Sequence, residues 1–189
     1  GFETGDFTGW TTYVPSGGAA TVETTHTGDY ASGGGTTLTY APPEGSYFAK
    51  LLADGVGIYV TVTQQTYLNV GETLSGTAAF DYRDYHNYDD DAYVKIYDSS
   101  DTLVATPWYE HGLARPNYWD GPWTSWSFTA TSADTYKLVY GVANQGDAGM
   151  SSVALFDASQ TQPIPEPCTL LLLGSGLVGG GLLRRKFKR

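Results

Sequence analysis

Tyr136-Lys137-Leu138-Val139-Tyr140-Gly141-Val142 is the stretch on which the fold turns. Side chains of an extended strand point alternately to opposite faces. Tyr136, Leu138, Tyr140 and Val142 therefore share one face, and that face is apolar enough to be a core. Reading outward, Ala92-Tyr93-Val94-Lys95-Ile96-Tyr97 repeats the pattern, with Val94 and Ile96 opposite Tyr93, Lys95 and Tyr97. In Ile58-Tyr59-Val60-Thr61-Val62-Thr63 the residues Ile58, Val60 and Val62 share a face. Trp126 and Phe128 do so in 124–129, and Ser152–Phe156 is a further short strand. Leu74–Tyr82, Thr36–Tyr40, Tyr47–Leu51 and Thr102–Ala105 carry weaker versions. Turn signals at Asp54-Gly55, Val70-Gly71, Asp98-Ser99-Ser100 and Ser132-Ala133-Asp134 separate the runs. No segment before the C-terminal tail shows a helical period, and no internal repeat is found. Frequent Thr, Tyr and Gly suit pleated strands and tight turns. The fold class is all-β, a jelly-roll-like β-sandwich.

Charge narrows the function. Residues 1–165 hold Lys50, Arg83, Lys95, Arg115 and Lys137 against nineteen acids, so five minus nineteen leaves −14. Such a body repels phosphate backbones and attracts cations, which argues against nucleic-acid binding. Cys168 is the single cysteine, so no internal disulfide forms. The chain starts at Gly1 rather than Met. That start reads as a processed form or a fragment; an exported precursor would carry a signal peptide ahead of it.

The composition changes near Gln160. Residues 1–159 read as an extracellular β-sandwich domain, and 160–164 as an extended linker containing Pro163. Residues 165–189 form a three-part tail: Pro165-Glu166-Pro167, an apolar run from Cys168 to Leu183, and the basic cluster Arg184, Arg185, Lys186, Lys188 and Arg189. As a helix the 16 apolar residues would span about 24 Å, against about 30 Å of hydrocarbon. Snorkelling Arg and Lys would make up the difference. The run is apolar all round, through Leu170, Leu173, Gly176 and Leu183, which suits a short transmembrane helix better than an amphipathic core helix. The basic end would stay cytoplasmic and the body would lie outside.

In that order the three parts resemble the PEP-CTERM sorting signal of Gram-negative bacteria that make exopolysaccharide. The resemblance implies a membrane sorting enzyme, exosortase, as partner, with removal of the tail near Pro165-Glu166-Pro167. The chain would be anchored in the inner membrane before processing and reach the cell surface or the medium afterwards. Cys168 departs from the small residue common at that place; it reads as an apolar residue, with acylation as the other reading.

The body carries a second resemblance. Gly1-Phe2-Glu3-Thr4-Gly5-Asp6-Phe7-Thr8-Gly9-Trp10 is similar to the opening of carbohydrate-binding-module-like and galactose-binding-like jelly rolls, and Ser151–Asp157 to their last strand. The resemblance implies a structural calcium ion with Glu3 and Asp157 among its ligands; two solvated acids at strand ends are the alternative. The acidic run from Asp81 to Asp91 lacks the spacing of an EF-hand loop. It reads as a solvated loop, with a loosely held calcium as the rival. Trp108, Tyr109, Tyr118 and Trp119 lie among Pro107, Pro116 and Pro122, and are read as loop aromatics able to stack on a glycan. Trp126 is assigned to the core.

Signals for catalysis are thin. The chain has no G-x-S-x-G, no H-E-x-x-H and no P-loop. His26, His86 and His111 are scattered and read as polar surface residues. The functional expectation is a non-enzymatic protein of the surface or the extracellular polysaccharide matrix. A dedicated carbohydrate-binding module is the first rival, and a secreted glycoside hydrolase or lyase the second.

Overall fold

The structure, a computed structural model, describes residues 1–28 and 37–162. In chain order its strands are β1 (Thr11–Tyr13), β2 (Ala19–Glu23), β3 (His26–Thr27), β4 (Thr39–Tyr40), β5 (Phe48–Leu52), β6 (Val60–Leu68), β7 (Thr73–Tyr82), β8 (Asp91–Tyr97), β9 (Leu103–His111), β10 (Trp119–Asp120), β11 (Thr124–Thr129), β12 (Asp134–Ala143) and β13 (Val153–Gln162). They build two antiparallel sheets. One runs β1-β6-β12-β8-β9; the other runs β10-β7-β13-β5-β2, with β11 also on β7. The short pair β3-β4 stands apart. Among the described residues no helix is long and apolar enough to cross a membrane.

The sheets face each other across one core. Tyr136, Leu138, Tyr140 and Val142 are all buried there, as the period of two requires. Tyr140 is the hub: its ring stacks on Phe156 of the opposite sheet at 4.4 Å and on Trp10 at 5.4 Å, and meets Trp126 edge-on at 6.0 Å. Phe2 and Trp10 bring the N-terminal segment into the same core. Each fully buried Leu, Val or Phe adds roughly 1.5–3 kcal/mol of transfer free energy, which makes this layer the main source of stability.

Three expectations are corrected. Trp108 and Tyr109 lie in β9, not in a loop. Pro107 is tolerated because β9 is the edge strand, and the β8–β9 register shifts around it. Ile58 precedes β6 and is exposed rather than sharing a core face with Val60 and Val62. Finally, β13 continues to Gln162, so the stretch expected to be linker begins as strand: Gln160, Thr161 and Gln162 pair with Ser75, Leu74 and Thr73 of β7 after a register shift. The length of β7 supplies those extra partners. The short strands β1 and β2 were not foreseen. Pro165, Glu166, Pro167 and the expected membrane helix and basic stop lie outside the described residues.

Candidate functional site

The outward face of the five-stranded sheet carries the most suggestive arrangement. Residues directly opposite in an antiparallel ladder share a face. The registers place Tyr13 opposite Thr61, Thr61 opposite Gly141, Gly141 opposite Tyr93, and Tyr93 opposite Tyr109. This row crosses all five strands, a span of about 19 Å at ~4.8 Å per strand step. Its two ends are the exposed rings of Tyr13 (61%) and Tyr109 (49%).

The middle of the row is pinned. Gly141 has no side chain, and a Cβ there would lie 2.5 Å from the Tyr93 ring, so glycine lets that ring lie flat on the sheet. The Lys95 ammonium sits 3.9 Å from the Tyr93 ring centroid and 6.0 Å from that of Tyr59. The Tyr59 hydroxyl donates to the Asp91 carboxylate, at 2.9 and 2.8 Å to its two oxygens, and accepts from Gln145 Nε2 at 3.2 Å. Burial raises the Tyr59 phenol well above its usual range, with Asp91 adding to the effect. Burial likewise pushes Tyr93 and Tyr109 up to about 12, so all three remain neutral hydrogen-bonding groups. Tyr109 stacks on His111, whose Nδ1 lies 2.8 Å from Asp89 Oδ1. Tyr93 and Asp91 are themselves buried and serve to hold Tyr59 and Lys95 in place, while the exposed Tyr13 and Tyr109 rings and half-buried Lys95 are what this face offers to a ligand with flat apolar faces and many hydroxyls.

The run from Asp81 to Asp91 is not the solvated loop expected from its charge. Asp81, Arg83, Asp84, Asp90 and Asp91 are all buried. Each burial has a partner. Asp81 Oδ2 lies 2.8 Å from His26 Nε2 and accepts from Arg83 Nε at 2.9 Å. Asp90 accepts from Ser152 Oγ at 2.6 Å and from the Gln145 amide at 3.0 Å. Burial still pushes Asp90 up to about 6 and raises Asp84. His26 is buried as well, which corrects its reading as a surface residue. His86 is exposed, with its Nδ1 2.8 Å from Asn117 Oδ1.

The four loop aromatics do not form a single platform. Trp108 points into the core and meets Phe156 edge-on at 5.9 Å. Only Tyr109 reaches the open face of the five-stranded sheet. Tyr118 is buried against Tyr85, and half-buried Trp119 lies in β10 under the Arg115 guanidinium at 4.1 Å. The residues that replace them, Tyr13, Tyr59, Tyr93 and Lys95, could have been found by reading the polar side of each alternating strand rather than the prolines.

Glu3 and Asp157 do converge, on one loop. Glu3 accepts from the Ser46 amide at 2.9 Å and the Tyr47 amide at 3.3 Å, and Asp157 from the Glu44 amide at 2.9 Å. Gly45 sits between them with φ +65°, where a Cβ would come within 2.3 Å of the Glu3 carboxylate. The two carboxylates thus tie the first and last segments of the body to the loop ahead of β5. Their remaining lone pairs, the loop carbonyls and water are chemically suited to a hard cation. Among the described residues no group of three or more His, Cys, Asp or Glu side chains converges on a metal position.

Comparison with known proteins adds two findings. Residues 163–186 match the PEP-CTERM protein-sorting motif. The fold matches the K1 cleaved adhesin domain of Lys-gingipain from Porphyromonas gingivalis W83, at 16% identity and a TM-score of 0.50, over 87% of this chain and 96% of that one. It is also similar to TmCBM61, solved in complex with beta-1,4-galactotriose, at 14% identity and a TM-score of 0.47, over 87% and 94% of the two chains. A CBM4 structure aligns at 12% identity with a TM-score of 0.46, over 86% and 99%. No curated protein matches by sequence. The body is an all-β sandwich of antiparallel sheets, followed by a PEP-CTERM sorting motif.

Proposed function

We propose that this chain is an exported, non-enzymatic glycan-binding protein of the cell surface or extracellular matrix, delivered through its C-terminal motif. The observation that carries the binding half is the row Tyr13–Thr61–Gly141–Tyr93–Tyr109, with exposed tyrosine rings at its two ends and a buried Tyr93 between them. The sorting motif supports export, inner-membrane anchoring before processing, and an exosortase as partner. Outside the cell the natural ligand would be the polysaccharide around it.

The test is affinity electrophoresis of the body through gels containing soluble polysaccharides. Retardation by at least one glycan, weakened by Tyr109→Ala and unaffected by Trp119→Ala, is expected. Migration unchanged by every glycan, or loss on Trp119→Ala alone, would contradict the reading. Turnover of the retarding glycan, seen as new reducing or unsaturated ends, would instead favour the hydrolase or lyase alternative. For the sorting half, mass spectrometry should find the mature C-terminus near Pro165-Glu166-Pro167 only in a strain with its sorting enzyme.

We also propose a structural calcium at the Glu3–Asp157 junction. A ligand of the native state alone raises its stability. Millimolar calcium should therefore raise the melting temperature, and chelator reverse it, with no such effect in Glu3→Gln. A melting curve indifferent to calcium rejects the ion.

A further inference from the structure

Among the described residues, the open face carries one cation with no carboxylate beside it. Arg83 bonds Asp81, Arg115 bonds Glu110, and Lys137 bonds Asp101. Lys95 differs: among the described residues no carboxylate lies within 4 Å of its ammonium. Its partners are instead the faces of Tyr93 and Tyr59. The position is central. Lys95 pairs with Val139 of the middle strand, one step along its face from Tyr93 and the row. Nineteen acids against five bases in residues 1–165 make an unclaimed ammonium there notable.

Two aromatic faces fix the ammonium without consuming its three N–H donors. A ligand lying along the row would therefore meet a positioned positive charge beside a neutral tyrosine hydroxyl. We propose that the open face selects glycans bearing a carboxylate, that is, uronic-acid-containing polysaccharides, with Lys95 as the specificity-determining residue. This rests on the glycan-binding reading and narrows it to a substrate class. The acidic remainder of the body sets a further limit. Its field is screened beyond about 8 Å at physiological salt, yet it disfavours dense polyanions at closer range. Isolated carboxylates along a largely neutral chain fit both facts.

The probe is one pectin in two states: carboxyls mostly methyl-esterified, and the same material partly saponified. Backbone and hydroxyls are shared; only the free carboxylates differ. The full body should bind the saponified form up to about fivefold more tightly, the scale of a partly exposed charge pair. Lys95→Gln should abolish that preference while melting normally, and Lys95→Arg should retain it. Equal affinity for the two pectins, or a preference that survives Lys95→Gln, would overturn the assignment. Binding to neutral glucan or galactan with neither pectin retained would overturn it and leave the glycan-binding reading standing. No retention by any of these polymers would remove both.

Discussion

The two outward faces of this sandwich are treated in opposite ways by their own chain. On the six-stranded sheet, Phe48, Ala79, Val153 and Leu155 form a second apolar cluster with Tyr40, closed over by Leu38, Leu52 and Trp123. Tyr40 donates to the Gly121 carbonyl at 3.0 Å, Trp123 Nε1 to the Ala41 carbonyl at 3.1 Å, and the Leu38 amide to Asp120 at 2.6 Å. The His26–Asp81–Arg83 cluster lies under the same cover. On the five-stranded sheet no such second cluster forms among the described residues, and the face presents tyrosines, threonines and lysines instead. A face whose own chain covers it serves stability. One left open with pinned aromatic rings is available to a ligand.

That contrast can be broken most forcefully on the covered side. Phe48→Ala empties a fully buried site and should cost about 3–5 kcal/mol in denaturant unfolding. A loss below 1 kcal/mol would mean that the cover is not closed. Asp81→Asn should cost roughly 3 kcal/mol by removing the buried charge that His26 and Arg83 share. On the open side the same experiment should read almost nothing. Tyr109→Ala should change stability by less than about 0.5 kcal/mol while weakening glycan binding roughly tenfold.

A further effect is a pH slope. Burial pushes Asp90 up to about 6 from its ordinary 3.8, so the folded protein binds this proton more readily than the unfolded chain. The penalty for ionised Asp90 is full above pH 6 and fades as pH falls toward 4. This group therefore favours the folded state as the solution is acidified through that window. Asp90→Asn should remove that contribution and change the pH dependence of stability between 4 and 6. A variant with the wild-type slope would contradict the burial of Asp90.

The sequence made the core legible because alternation is a local signal. The inward set of β12, and the split of Val94 and Ile96 from Tyr93, Lys95 and Tyr97, could be read with no knowledge of neighbours. The open face could not, because it is assembled by register. Tyr13, Thr61, Gly141, Tyr93 and Tyr109 come from five strands and meet only once the sheet has formed. Proline misled for a related reason: Pro107 marks a loop in isolation, but is permitted in an edge strand whose register shifts beside it. The acidic run misled because charge was read as exposure. Its partners His26, Tyr59, Gln145 and Ser152 are distant in sequence and had no visible connection to it.

Amide hydrogen exchange on the body, with and without a glycan that retards it in affinity gels, tests the central assignment most directly. Slowed exchange in residues 59–63, 91–95 and 139–143 of the five-stranded sheet is expected, with the six-stranded sheet unchanged. Slowing confined to residues 115–120, or to the covered face around β5 and β13, would place the ligand elsewhere and contradict the assignment.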